Sequence, residues 1–350
     1  MNDKIPIIGI TMGDPAGIGP EIISKTLTRR KIYEICKPVV IGYAEAIEKG
    51  ITIARVDLDI NKISDIAEAK FSFGLIDVLN LGNLNINRIE LGKTSAIAGD
   101  AAFKAIKKSI DLAVAGRINA VVTTPIHKES LNMSGHHFPG HTEIFAQFTH
   151  TKDYAMLLAN KEGLRVIHVS THVPIKQVSE LVKKARIVKV IELLHNACLR
   201  FGIKAPRIGV SGLNPHASDS GLFGDEEKNE IIPAIQEAKK SGFMVQGPFP
   251  PDIIFPMAVG GQFDGIVAMY HDQGHIPFKL IGFHWDPKKN SMSSIKGVNI
   301  TLGLPIIRVS VDHGTAFEIA GKGIANEDSL VLAIEYAAKM ADYKNTDKSL

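Results

Sequence analysis

The chain has 350 residues, 45% of them hydrophobic and 22% charged, a balance that excludes a disordered or fibrous protein and predicts a large buried core spread over about two domains. Its 40 basic and 37 acidic residues are mixed along the sequence and leave a formal charge of +3, so there is no basic stripe for a nucleic-acid backbone. No apolar run approaches the ~18 uncharged residues of a membrane-spanning helix, and MNDKIPIIGITMGD lacks the pattern of a secretory leader, so the expected location is cytoplasmic. Cys36 and Cys198 are far apart, each in an apolar stretch, and are expected in the core rather than in a disulfide or paired-cysteine metal site.

In chain order, Ile5–Thr11 reads as a strand. The segment GDPAGIGPE follows, with Gly13, Gly17 and Gly19 ahead of a helix over Pro20–Arg29 that carries its proline in the first turn. Glycines at such a place let backbone amides approach an anion. The spacing is not GxGxxG, however, and no acidic residue follows about 20 positions on, so a tight turn is the plainer reading. Further strands are expected at Val39–Tyr43, Ala120–Thr124, Arg165–Ser170, Arg207–Ser211, Gly265–Tyr270 and Ile306–Val311, alternating with helices at Ala96–Ala115, Lys176–Phe201 and Glu226–Ser241. This alternation predicts an α/β protein with parallel or mixed sheets. The polar stretch His284–Ile295, HWDPKKNSMSSI, reads as a mobile loop.

Four segments, VVTTPIHK, VIHVSTHVP, IGVSGLNPHA and IVAMYHDQGH, begin as apolar strands and end in polar clusters, which places chemistry at strand carboxyl ends, where open α/β sheets bind ligands. All 13 histidines lie between His127 and His313. His172, His216 and His271 each stand just past a strand. Converging, they would give a divalent metal three protein ligands with positions left open for substrate; singly, each reads as a hydrogen-bonded rim residue. Asp272 would be a further ligand, an orienting partner of His271, or a solvated turn acid. His275, His136, His137, His150 and His168 read as structural.

Lys128, Lys279 and Arg308 are cations beside these strand ends. A guanidinium following the apolar LPII run needs a bidentate partner, either a substrate phosphate or carboxylate or a structural acid. Near the end, DHGTAFEIAGKGIANEDS sets Asp312, His313, Gly314 and Thr315 before Gly321, Gly323 and Asn326. It reads either as an adenine-nucleotide loop, with Asn326 on the base edge, or as an ordinary connection.

Taken together, GDPAGIGPE, PGHTE, STH, LNPHA, GDEE, AMYHDQG, GVNITLGLP and DHGTA, running in this order from about residue 6 to about residue 340, resemble the 4-hydroxythreonine-4-phosphate dehydrogenases. SGHHFPGHTE, THTKDYAML, VIHVSTH, SGLFGDEE and MYHDQGHIP are most similar to the branch that acts on D-threonate 4-phosphate and D-erythronate 4-phosphate. The resemblance implies a two-domain, three-layer αβα fold of the isocitrate and isopropylmalate dehydrogenase type, with the active site in the interdomain cleft. It implies a terminal-segments domain at 1–130 plus 300–350 on the nucleotide side, and a central domain at 131–299 for metal, substrate and dimer contacts. It further implies NAD, one divalent metal such as Zn, Co or Mg on His172, His216 and His271, and a homodimer in which the partner contributes a ligand. Substrate contacts fall on His141, Thr142, Lys279, Asn299 and Arg308, cofactor contacts on Asp312, His313, Gly314, Thr315 and Asn326, and acid–base roles on Lys279, Lys128 and Asp272. His284–Ile295 departs from the family pattern as an insertion.

The implied reaction is oxidation and decarboxylation of a small phosphorylated hydroxy acid to dihydroxyacetone phosphate and CO2. The alternatives are the 4-hydroxythreonine-4-phosphate reaction of pyridoxal phosphate biosynthesis, a metal-dependent hydrolase, a phosphate acyltransferase on a related fold, and a phosphosugar-binding protein without turnover. Formation of NADH discriminates among these classes.

Overall fold

A computed structural model describes residues 5–287, 291–295 and 297–346. The strands are β1 (Ile7–Thr11), β2 (Lys37–Gly42), β3 (Asp59–Ile63), β4 (Leu75–Asn80), β5 (Ala120–Thr123), β6 (Ala155–Asn160), β7 (Arg165–His168), β8 (Arg207–Ser211), β9 (Met244–Phe249), β10 (Gly265–Ala268), β11 (Phe283–Asp286), β12 (Ser291–Ile295), β13 (Gly297–Leu302) and β14 (Ile307–Val311). The helices are α1 (Gly19–Thr26), α2 (Arg30–Ile35), α3 (Ala44–Ala54), α4 (Ala96–Val114), α5 (Lys128–Met133), α6 (His141–Phe148), α7 (Val178–Leu181), α8 (Lys184–Arg200), α9 (Ile232–Lys240), α10 (Pro251–Val259), α11 (His271–Gly282) and α12 (Asp328–Thr346). The chain divides into two compact units, Met1–Lys152 with Leu304–Leu350, and Asp153–Gly303. Among the described residues no helix is long and apolar enough to cross a membrane.

In the first unit the strands lie in the order β3-β4-β2-β1-β5-β14, and every neighbouring pair is parallel. Parallel strands need cover on both faces, which explains why IIGIT and KPVVIG are apolar without alternation and almost wholly buried. On one face Ile106 and Ile110 of α4 pack against Val39, Ile41 and Val121. Helix α12 lies against β5 and β14. Thr11 pairs with Thr123, and Ser310 with Thr123, so the strands end level and the segments after β1, β5 and β14 leave from one edge. Residues 131–152, placed in the central domain by the sequence reading, pack here: Leu131, Ile144 and Phe145 share the apolar cluster of α4.

In the second unit the order is β13-β6-β7-β10-β8-β9, with β6 antiparallel to both of its neighbours and the other pairs parallel. Val166 and Ile266 are in register and pack with Ile254 and Phe255 of α10 and Phe278 of α11. Burying a side chain such as Phe278 contributes about 1.5–3 kcal/mol. Helix α8 approaches β10 closely: a Cβ at Gly265 would stand 2.9 Å from Leu194, so glycine is what permits the contact.

Three expected elements differ. The helix expected over Lys176–Phe201 is a single turn at Ile175–Gln177, then α7, then α8, because buried Val182 leaves the helical region at ψ 82 and the Lys184 N–H donates to the Glu230 carboxylate at 2.7 Å. The helix expected from Glu226 opens instead as a wide π turn over Glu227–Ile231 ahead of α9, where Pro233 has no N–H to give to an ordinary helical bond. His284–Ile295 was expected as a mobile loop; residues 284–286 and 291–295 belong to an antiparallel strand pair in which His284 pairs with Ser294 and Asp286 with Ser291. The lysines of that stretch lie outside the described residues.

Candidate active site

Strands β7, β10 and β8 are parallel neighbours in the second unit, and the segments leaving their carboxyl ends carry His172, His271 and His216 respectively. Helix α11 begins at His271, and Gly274 lets it lie close to β7, since a Cβ there would stand 2.8 Å from Val166. The rings of His172 and His271 are 5.6 Å apart. Two imidazoles sharing an ion through bonds of about 2.1 Å at a tetrahedral angle place their ring centres about 5.3 Å apart. His271 Nδ1 lies 2.6 Å from Asp272 Oδ1, and this pairing, before any other influence, lowers the pKa of exposed Asp272. A carboxylate there accepts a proton carried on Nδ1, which leaves Nε2 with a lone pair that could bind a cation.

Beneath this pair are two histidines read as structural. His275 stacks on His271 at 3.7 Å with the rings nearly parallel, and donates Nδ1–H to the His271 carbonyl at 3.0 Å. His168 is fully buried and lies 4.8 Å from His275. Burial, reinforced by the neighbouring imidazoles, pulls their pKa values down to about 3 for His168 and about 4 for His275, so both are neutral at pH 7.

His216 is exposed and not grouped with the other two: among the described residues no three His, Cys, Asp or Glu side chains are close enough together to hold a metal ion. It opens an unusual turn in which His216, Ala217, Ser218, Asp219 and Ser220 all have left-handed backbone angles. Such a conformation costs roughly 1–2 kcal/mol per non-glycine residue and persists only where surrounding contacts enforce it. Glu227, 2% exposed, holds the residues just before this run: its carboxylate accepts the N–H groups of Leu213 and Asn214 at 2.8 Å and the Asn214 side-chain amide at 2.9 Å. The Ser218 hydroxyl closes the loop by donating to the Gly224 carbonyl.

The other residues expected in the site have plainer surroundings in this unit. Lys279 is exposed on α11, its Nζ 5.3 Å from the Phe283 ring centre. Asn299 is half-buried on β13 and directs its amide nitrogen toward Met156 Sδ at 2.7 Å.

In the first unit Arg308 sits on β14 with 3% exposure, donates to the Thr123 hydroxyl at 2.9 Å and faces the Phe145 ring at 5.6 Å. Burial pushes its pKa down to about 9, opposed by the charge of Glu143. His141 opens α6, and its buried Nε2 has no hydrogen-bond partner among the described residues; burial, helped by the positive charge of Arg308, holds its pKa well below the usual imidazole value. Thr142 follows it, half-buried, in the same first turn. A buried cation beside a neutral imidazole at a helix start suits an anion such as a phosphate. Lys128 is the exposed first residue of α5, next to His127, which stacks on Phe317 at 4.5 Å.

The Asp312–Thr315 segment rests on the N-terminal glycine loop. A Cβ at Gly17 would stand 3.0 Å from Thr315, and the Ile18 N–H donates to the Thr315 carbonyl at 3.1 Å. The glycines of GDPAGIGP therefore serve close packing, as the tight-turn reading has it. Burial lowers the pKa of His313, whose Nδ1 lies 3.0 Å from the Gly314 carbonyl. Lys25 donates to the carbonyls of Gly323 and Ala325, anchoring that stretch to α1. Asn326 accepts the Asp328 N–H at 2.8 Å, a capping contact at the start of α12.

Four residues that sequence reasoning passed over complete the picture: Glu227, Gln273, Ser170 and Asp14. Gln273 and Ser170 bond to main-chain atoms at the strand ends. Asp14 is buried; burial raises its pKa, against the Ala16 N–H, the Ser130 hydroxyl and the charge of His127. An acid directly after a strand and glycine was the signal available for Asp14.

Comparison with known proteins gives a consistent picture. The family model described as "Pyridoxal phosphate biosynthetic protein PdxA" matches residues 34–337. A D-threonate 4-phosphate dehydrogenase from Cupriavidus necator is 46% identical over 342 residues, covering 97% of this chain and 99% of that protein. The crystal structure of a 4-hydroxythreonine-4-phosphate dehydrogenase from Klebsiella pneumoniae is similar with a TM-score of 0.83 at 42% identity, over 96% of this chain and 99% of that one. A terephthalate 1,2-cis-dihydrodiol dehydrogenase from Burkholderia xenovorans is similar with a TM-score of 0.67 at 26% identity, over 96% and 98%.

Proposed function

Since the chain belongs to the PdxA family and is a dehydrogenase acting on CH–OH groups, we propose that it uses NAD to oxidise and decarboxylate a 4-phosphorylated four-carbon hydroxy acid, D-threonate 4-phosphate or D-erythronate 4-phosphate. The products are dihydroxyacetone phosphate and CO2. The observation that carries the reading is the pairing of His172 with His271 at a spacing that suits a shared ion, with the Asp272 carboxylate beside His271 Nδ1. His216 is the third ligand, brought in on its left-handed turn or supplied by a second copy of the chain. Ile276 and Leu280, 65% and 79% exposed and four residues apart on α11, support a homodimer through the second unit.

A divalent cation held there, Zn2+, Co2+ or Mg2+, would act as a Lewis acid that makes the substrate hydroxyl easier to deprotonate and stabilises the charge left as CO2 departs. Oxidation of the C3 hydroxyl sends a hydride to NAD and a proton to solvent. Loss of CO2 from the resulting 3-oxo acid returns one proton to C2, so one NADH and one CO2 form per substrate. Lys279 or Lys128 delivers that proton. Arg308, His141 and Thr142 hold the phosphate, supplying binding energy remote from the reacting carbons, and Asn299 and Lys279 bind substrate in the second unit. Asp312, His313, Gly314, Thr315 and Asn326 form the nucleotide segment. The buried free thiols Cys36 and Cys198, each with its pKa pushed up to about 12 by burial, suit a reducing cytoplasmic location.

The similarity to the Klebsiella enzyme favours a second substrate, 4-phosphohydroxythreonine, which has an amino group at C2 in place of a hydroxyl. Side-by-side kinetics on the three acids, followed by NADH absorbance, decide between them. The reading expects the highest kcat/KM on D-threonate or D-erythronate 4-phosphate, and loss of activity with a chelator. A preference for 4-phosphohydroxythreonine overturns the substrate assignment, and absence of NADH formation overturns the class.

A further inference from the structure

We propose that Gln273 is a positioning residue that holds the segments bearing His172, His216 and His271 in register with one another; the proposal rests on the metal reading given above. Gln273 is buried at the third position of α11. Its side-chain oxygen accepts the Met269 N–H at 2.7 Å, and its side-chain NH2 donates to the Gly212 carbonyl at 2.8 Å. Both partners are main-chain atoms of fixed polarity, so the amide has one orientation that satisfies them. The carbonyl of the same Met269 residue accepts the Ser170 hydroxyl at 2.9 Å and the Ser170 N–H at 3.2 Å.

The hydrogen bonds therefore run Ser170, Met269, Gln273, Gly212 across three neighbouring strand ends. Ser170 stands two residues before His172, Met269 two before His271 and Gly212 four before His216. At the last link the chain packs tightly, since a Cβ on Gly212 would lie 2.9 Å from the Ala217 Cα, and the Glu227 clamp on Leu213 and Asn214 follows at once.

A plain helix cap would need only half of this. A glutamine in the first turn commonly reaches back to a main-chain N–H preceding the helix, and the Met269 bond does so. The bond to Gly212, 61 residues away, does nothing for the helix and joins two ligand-bearing segments. Groups that orient metal ligands from behind typically change affinity by about 10- to 100-fold when removed. The tie works whether His216 completes the site of its own chain or that of a partner.

The test uses the full-length protein stripped of metal with a chelator and titrated with Co2+, reading affinity by chelator competition and ligand geometry by the visible spectrum. Q273M keeps the shape and removes both bonds. Q273E keeps the acceptor and sets a carboxylate oxygen against the Gly212 carbonyl. Both are expected to bind Co2+ about 10- to 100-fold more weakly, with a shifted visible band and NAD affinity retained. Wild-type affinity and an unchanged band in Q273M overturn the proposal. Failure of the unaltered protein to bind Co2+ instead overturns the metal reading, which keeps the two failures distinct. Should Q273M not fold, S170A carries the test, because it removes one hydroxyl from the other end of the same chain of bonds. Weaker Co2+ binding with a displaced band is expected of it, and wild-type behaviour overturns the proposal.

Discussion

Replacing Arg308 by methionine separates a site built for an anion from a structural arginine. The guanidinium is buried on β14, where burial outweighs the opposing charge of Glu143. Taking the guanidinium out of water costs several kcal/mol, a cost that an apolar side chain of similar length avoids. The hydrogen bond to Thr123 is lost, at about 1 kcal/mol. The substrate-free R308M protein should therefore be more stable by about 0–3 kcal/mol, a rise of up to about 10 °C in Tm for a unit of this size. Binding should move the other way. Two charge-assisted bonds to a phosphate at about 1.5–3 kcal/mol each make the loss in kcat/KM a hundredfold or more, roughly. Thermal unfolding in buffers with and without inorganic phosphate reads both effects. Phosphate at about 100 times its Kd should stabilise the unaltered protein by about 2.7 kcal/mol and leave R308M where it was. A variant that is destabilised by several kcal/mol yet keeps its response to phosphate would refute this account of Arg308.

If the metal site is shared between copies, mixing the inactive H216A and H271A variants under subunit exchange should restore about a quarter of wild-type activity, because half of the dimers are mixed and each carries one intact site. No recovery places His216 and His271 of one site on the same chain. The depressed pKa of His141 predicts acid lability: above about pH 6.5 both folded and unfolded states are neutral, while below it the unfolded chain takes up a proton that the folded one refuses, so stability falls as pH drops. Unfolding midpoints measured from pH 7.5 down to about 4.5 should fall less steeply for H141N than for the unaltered protein. Glu227→Ala leaves the N–H groups of Leu213 and Asn214 without their acceptor, and should cost about 2–4 kcal/mol and speed hydrogen exchange across 213–224.

Much of the first unit's sheet was legible because its strands are short, apolar and separated by amphipathic helices; Ile5–Thr11 and Ala120–Thr124 were read within two residues of β1 and β5. Strand β6 went unread because AMLLAN carries no β-branched residue and is made mostly of good helix formers, so its short apolar run gives no strand signal. Strand β3, DINKI, went unread because it is a polar edge strand. The polar stretch after His284 carries every local sign of a loop, and its pairing of β11 with β12 depends on a register no local signal encodes. The histidines of the candidate site stood out because each follows a strand among turn-forming residues. Gln273, Ser170 and Glu227 did not, because their partners are main-chain atoms 61, 99 and 14 residues distant, and such bonds leave no spacing to recognise.

The most direct test of the proposed activity is the stoichiometry of the complete reaction. D-Threonate 4-phosphate labelled at its carboxyl carbon, incubated with the metal-loaded protein and NAD, should release labelled CO2 and NADH in equal amounts, and both should stop on chelation and resume when metal is restored. NADH without CO2, or turnover indifferent to the chelator, would contradict the account.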